Sequence, residues 1–169
     1  LGAYNGDTIR ELLHYTDGKF ASVTALEPDR RSFRKLNEWA SANITGDVTL
    51  VQAGAWNEDT VKCFTDQAGR QSRVAGQGKE TQMRALDSVL SGRPCTYLKM
   101  DVEGAEREAI AGAEKTIRQY APKLNIAAYH RSEDFFQLPL LIHALQPSYR
   151  LYLRHHPYVP AWDTNLYAI

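Results

Sequence analysis

The sequence predicts a doubly wound α/β domain built on a mostly parallel sheet. Strand-like and helix-like segments alternate for most of its length. The strands are apolar runs separated by helices, the pattern of a sheet covered on both faces. All but the last two strands lead into a cluster of glycine, aromatic or acidic residues, where an open parallel sheet binds its ligands. At 169 residues the chain reads as a single domain, residues 1–169, with enough interior for a real core.

The elements follow in order. Residues Asp7 to Tyr15 place Ile9, Leu12 and Leu13 at i, i+3 and i+4, one apolar helical face. Ser22 to Leu26 is a β-prone run that stops at Glu27-Pro28-Asp29. Asp29 is a good N-cap for a helix with Phe33, Leu36 and Ala40 on one side. Residues 48–53 form the next strand, ending in Gly54-Ala55-Trp56-Asn57. Residues 58–95 are polar and glycine-containing, with β-type fragments at 61–64 and 72–75. They read as a hairpin excursion followed by a short helix over Leu86–Leu90.

Residues 96–100 are an apolar strand that delivers Asp101-Val102-Glu103-Gly104. One long helix is expected over 105–120, with Ile110, Ala113 and Ile117 on one face and Pro122 at its end. Residues 124–129 are a buried strand running into His130-Arg131. A helix over 139–145 follows, with Pro139 at an N-terminal position that tolerates it. Strands at 149–153 and 165–169 close the chain as an antiparallel hairpin.

Twenty basic and twenty acidic residues cancel, with no long run of one sign, which argues against a nucleic-acid binder. No apolar stretch approaches the ~18 residues of a membrane span, and the first residues show no basic leader or signal-type run. Cys63 and Cys95 stand apart, without metal or redox spacing, and read as reduced thiols of a cytoplasmic protein. The His155-His156 pair lacks a carboxylate at ligand spacing, so no metal ligand is assigned.

Gly2 and Gly6 allow close backbone approach and a tight turn into the first helix. Their G-x-x-x-G spacing is not the G-x-G-x-x-G that seats a pyrophosphate, and Asp7 suits a cationic ligand better than a phosphate. Glu27 ends the next strand about 20 residues on, the usual distance for a carboxylate that grips ribose hydroxyls; by itself it also reads as a solvated strand end. Asp101 and Glu103 flank Val102 at the end of a buried strand, where a carboxylate is costly unless used or paired. For Glu103, helix capping and function remain alternatives, and Asp101 could pair with Lys99. His130, directly after a buried strand, is the general-base candidate.

The series G-A-Y-N-G-D-T, L-E-P-D, G-A-W, L-D-S-V, K-M-D-V-E-G-A-E, P-K-L, Y-H-R-S-E-D and L-Y-A resembles the FkbM-type family of S-adenosylmethionine-dependent methyltransferases. The likeness runs through nearly the whole chain and is most specific in K-M-D-V-E-G-A-E and Y-H-R. It implies the Rossmann-like, seven-stranded class I methyltransferase fold and a hydroxyl acceptor on a sugar or natural-product-like molecule. By the same resemblance Gly2, Ala3, Tyr4 and Gly6 wrap the methionine part of the cofactor. Glu27 holds the ribose hydroxyls with Pro28 and Asp29 beside it, and Ala55 and Trp56 line the adenine. Asp101 lies near the cofactor's amino group or the transferring methyl, with Glu103 and His130 facing the acceptor. The family's first strand would precede Leu1, so the cofactor motif is expected to begin upstream.

Methyl transfer from a sulfonium is an in-line displacement, in which alignment does most of the work. An alcohol must lose its proton as the bond forms, and His130 or Asp101 is the expected base, with Glu103 orienting. The sulfonium fits a site rich in acids and aromatics, such as Asp7, Tyr4 and Trp56. Two other readings remain: a nicotinamide-dependent enzyme on a related fold, and a non-catalytic or regulatory module of a larger polypeptide.

Overall fold

A computed structural model describes residues 1–64, 79–157 and 163–169 of the chain. They divide into two units, Leu1–Gly54 with Thr60–Met83 and Ala55–Asp59 with Arg84–Ile169.

In the first unit, α1 (Asp7–Tyr15) precedes β1 (Ser22–Leu26), α2 (Arg30–Asn43) and β2 (Asp47–Val51). β1 and β2 pair in parallel from Ser22–Asp47 through Leu26–Val51, with α2 as the crossover. Asp29 caps α2 as expected, its Oδ1 accepting the Ser32 N–H at 2.8 Å. α2 buries Ser32, Leu36 and Ala40, spaced four apart along one stripe. Leu36 packs with Ala3, Ile9 and Ala25, flanked by Leu13, Val23, Phe33, Trp39 and Leu50. Its full burial contributes roughly 1.5–3 kcal/mol. Gly6 begins α1 at φ +88°, and an added Cβ would stand 2.8 Å from Trp39 Cε3. The turn therefore requires glycine twice over, for its dihedral and for its space. The short strand β3 (Gly54–Ala55) comes next in sequence. β4 (Thr60–Phe64) and β5 (Lys79–Arg84) then pair antiparallel as the expected hairpin, while the predicted strand at 72–75 lies outside the described residues.

The second unit contains α3 (Leu86–Leu90), β6 (Tyr97–Met100), α4 (Glu106–Ala111), α5 (Glu114–Tyr120), β7 (Lys123–Ala127), α6 (Asp134–Leu145), β8 (Leu151–His155) and β9 (Thr164–Ala168). Its sheet has the order β6-β7-β9-β8. β6 and β7 run parallel, and β9 pairs antiparallel with both β7 and β8, giving the expected C-terminal hairpin. Alternate residues Leu98 and Met100, Leu124 and Ile126, and Leu166 and Ala168 face the core, as a period-2 pattern requires. α6 packs on α4, α5 and β9.

Three expectations need correction. Among the described residues the strands form small sheets of two, three and four members rather than one clear seven-stranded sheet. Where a helical crossover links the strands, at β1–β2 and β6–β7, they pair in parallel; the hairpin-linked strands β4–β5 and β8–β9 pair antiparallel instead.

The long helix over 105–120 is two helices, α4 and α5, broken at Gly112-Ala113. A Cβ at Gly112 would fall 1.9 Å from the Trp56 carbonyl oxygen, and the Gly112 carbonyl accepts the Asp87 N–H at 2.8 Å. The close approach of another backbone thus interrupts the run. α5 then takes its cap from a distance: the Asp87 carboxylate accepts the N–H groups of Lys115 and Thr116, each at 2.9 Å.

Finally, α6 begins at Asp134, so Pro139 stands inside it. The buried series Asp134, Leu138, Ile142 and Leu145 outweighs the one backbone hydrogen bond that proline cannot make.

Candidate functional site

The first unit gathers eight of the predicted residues about the end of β1. The Leu26 carbonyl accepts two N–H groups, from Gly2 at 3.1 Å and Ala3 at 3.0 Å. The loop therefore folds back onto the strand end, with Gly2, Tyr4 and Gly6 all at positive φ. Glu27 follows Leu26 and is 6% exposed. Its Oε2 accepts the Tyr4 N–H at 2.7 Å, and its Oε1 the Asp29 N–H at 2.8 Å. Burial pushes the Glu27 carboxyl up to about 7, against the downward pull of those two donors. Pro28 lies between them. The Asp29 side chain is engaged as the α2 cap, and Asp7 Oδ1 accepts the Thr8 N–H at 2.8 Å.

The second unit gathers the other acids around His130. β6 and β7 are parallel neighbours with Met100 opposite Ile126, so the residues that follow each strand emerge side by side. His130 Nε2 stands 3.5 Å from Asp101 Oδ1 and 3.4 Å from Glu103 Oε2. Both distances are long for a hydrogen bond, so attraction of charge governs them. The Tyr129 hydroxyl donates to Asp101 Oδ1 at 3.2 Å, and Lys99 Nζ lies 3.6 Å from Asp101 Oδ2, the pairing anticipated from the sequence. Glu103 sits at φ +56°, a left-handed conformation rare for a non-glycine residue. It does not cap α4, whose N-terminus has no side-chain cap.

The sequence does not mark Glu106, in the first turn of α4, as part of this cluster. Its Oε1 accepts the Val102 N–H at 3.0 Å and lies 2.9 Å from His130 Nδ1. Glu106 precedes Ile110 by four residues on the buried stripe of α4, a place where a carboxylate demands a partner. Burial of the imidazole opposes its charge, but Glu103, Glu106 and Asp101 outweigh that and hold the His130 pKa at about 10. Burial and the Asp101 charge push the Tyr129 hydroxyl well above its ordinary range.

Arg107 steadies this corner. It pairs with Glu133 at 3.6 Å and with the buried Asp134 at 3.7 Å, tying α4 to the start of α6. Ala55 is buried, and the Trp56 N–H donates to the Arg84 carbonyl at 3.0 Å. His155 and His156 bond to Thr164 and Tyr167 across the hairpin. A cavity of about 550 Å³ in this unit is lined by Asp59, Asp87, Glu114 and Arg118, among others, and by none of the predicted site residues. Among the described residues, no helix is long and apolar enough to cross a membrane.

A family model described as the methyltransferase FkbM domain matches residues 1–160. The crystal structure of methyltransferase FkbM from Methylobacillus flagellatus KT is similar over 99% of this chain, with 32% identity and a TM-score of 0.83. The match takes in 42% of that protein, so the present chain spans less than half its length. No curated protein matches the chain significantly.

Proposed function

The chain belongs to the FkbM methyltransferase family, and on that premise we propose that it transfers a methyl group from S-adenosylmethionine to a hydroxyl of a sugar or natural-product-like acceptor. The cofactor supplies an electrophilic methyl on a cationic sulfur. Glu27 holds the ribose hydroxyls: each of its oxygens accepts one backbone N–H and keeps a lone pair for a hydroxyl donor. Gly2, Ala3, Tyr4, Gly6 and Asp7 hold the methionine end. Pro28 and Asp29 flank the ribose, and Ala55 and Trp56 line the adenine.

The observation that carries the catalytic reading is the facing of His130 Nε2 toward Asp101 and Glu103 at the ends of two parallel strands. The His130 side chain is 5% exposed and has carboxylates at both nitrogens, so it positions the acids around it. Asp101, 32% exposed, is the group a hydroxyl can reach, and it takes the acceptor proton while Glu103 orients the acceptor. The free thiols Cys63 and Cys95 support a reducing, cytoplasmic setting.

Calorimetric titration with S-adenosylhomocysteine tests the cofactor, with NADH as the comparison. Binding of the first and not the second is expected, and the reverse would overturn the reading. Incubation with S-adenosylmethionine and a panel of sugars and polyketide-type alcohols, followed by product mass, tests the acceptor class.

A further inference from the structure

We propose that Asp101, Glu106 and His130 form a binding site for one divalent metal ion. Each residue offers a ligand atom, and the three atoms lie within 4.8 Å of one another. Neighbouring donors held at 2.0–2.2 Å by one cation stand about 3.0–3.6 Å apart, so closure asks the most distant pair to approach by up to about 1–2 Å.

A second observation points to a ligand independently. Glu106 is 1% exposed, and its Oε2 is buried without a hydrogen-bond partner among the described residues. An unsatisfied carboxylate oxygen is among the costliest groups to bury, and an ion or a water is the usual explanation for one. Its twin, Oε1, already serves the Val102 N–H and His130 Nδ1, so Oε2 is the oxygen left to bind.

The surroundings complete the site. With Nδ1, on the Glu106 side, as the ligand, Nε2 keeps the Glu103 carboxylate beside it, 3.4 Å away. Such an outer carboxylate fixes the ring and strengthens the ligand. Glu106 closes the inner side with 0% of its side chain exposed, and Asp101, at 32%, leaves an entry from solvent. One imidazole nitrogen with two carboxylate oxygens suits Mn²⁺, Fe²⁺ or Zn²⁺ better than the all-oxygen preference of Mg²⁺ or Ca²⁺. Three protein ligands leave positions open for another oxygen. On the methyltransferase reading, from which this takes its catalytic use, that oxygen is the acceptor hydroxyl. A bound ion would make its proton more acidic and ease its passage to the Asp101 oxygen that the ion leaves free, Asp101 remaining the base and Glu103 the orienting group.

The experiment titrates the apo chain with Mn²⁺ alone, followed by electron paramagnetic resonance, and with Zn²⁺ alone, followed by calorimetry. One ion per chain is expected. Asp101→Asn and Glu106→Gln should each weaken binding by about tenfold or more. Absence of stoichiometric binding of either ion overturns the site, as does binding that both variants leave unchanged. Should Glu106→Gln fail to fold by circular dichroism, the half-exposed Asp101→Asn decides alone. A parallel titration with S-adenosylhomocysteine separates the two claims. Its binding without metal uptake sinks only the ion site, and metal uptake without it sinks only the methyltransferase reading.

Discussion

His130 Nδ1 and Glu106 Oε1 stand 2.9 Å apart, with 5% and 0% of their side chains exposed. The contact joins α4 to the segment after β7 and holds the ring with Nε2 toward Asp101 and Glu103. Glu106→Ala removes the acceptor of the Val102 N–H and strands a buried imidazole. The expected loss is about 3–5 kcal/mol of folding stability, read from the urea midpoint. Glu106→Gln keeps one oxygen and should lose less. An alanine variant with the parent's midpoint would show that the buried pair contributes nothing.

The contact between Gly112 and Trp56 makes a second prediction. Gly112→Ala places a methyl 1.9 Å from a carbonyl oxygen, and the obstacle is backbone rather than a side chain that can turn away. A destabilisation of about 3 kcal/mol or more is expected, seen as a lower thermal midpoint. Little change would mean that the Trp56 segment moves freely.

These two residues also show where the sequence is legible and where it is not. The bounds Asp7–Tyr15, Ser22–Leu26 and Leu86–Leu90 are readable because their signals are local: an apolar period, a proline stop, a short apolar run. The break at Gly112 is not, because its cause lies 56 residues away in sequence and glycine alone is no proof of a break. Pro139 misleads in the opposite direction, since its usual place at a helix start conceals the turn that Asp134 and Leu138 build before it. At the candidate site, strand ends mark Asp101 and His130 by position. Glu106 is hidden inside a helix, where an acid in the first turn already has an ordinary explanation in the helix dipole.

α5 depends on a residue outside itself. The Asp87 carboxylate accepts from Lys115 N at 2.9 Å, Thr116 N at 2.9 Å and Thr116 Oγ1 at 2.7 Å. Asp87→Ala should cost about 1–2 kcal/mol, the range for a lost N-cap, with faster amide exchange confined to the first turn of α5. Uniformly faster exchange over the whole second unit would assign Asp87 a broader role than capping.

Glu27 links the fold to the proposed ligand through pH. Its carboxyl titrates at about 7 in the folded chain against an ordinary 4.5, so the folded state prefers the protonated form. The associated stability is fully present below pH 4.5 and is lost as pH rises to about 7, by about 3 kcal/mol in all. Glu27→Gln, neutral throughout, should flatten that part of the stability profile in urea titrations between pH 4.5 and 7.5. Ligand hydroxyls donate best to the ionised carboxylate, whose free lone pairs they would occupy. Affinity for S-adenosylhomocysteine should therefore rise with pH through the same window. At pH 7.5, Glu27→Gln should bind about 1–3 kcal/mol more weakly than the parent, and the gap should narrow on acidification. Equal affinity of the two proteins at pH 7.5 would leave Glu27 as a structural anchor for the Tyr4 and Asp29 amides, with no part in binding the ribose.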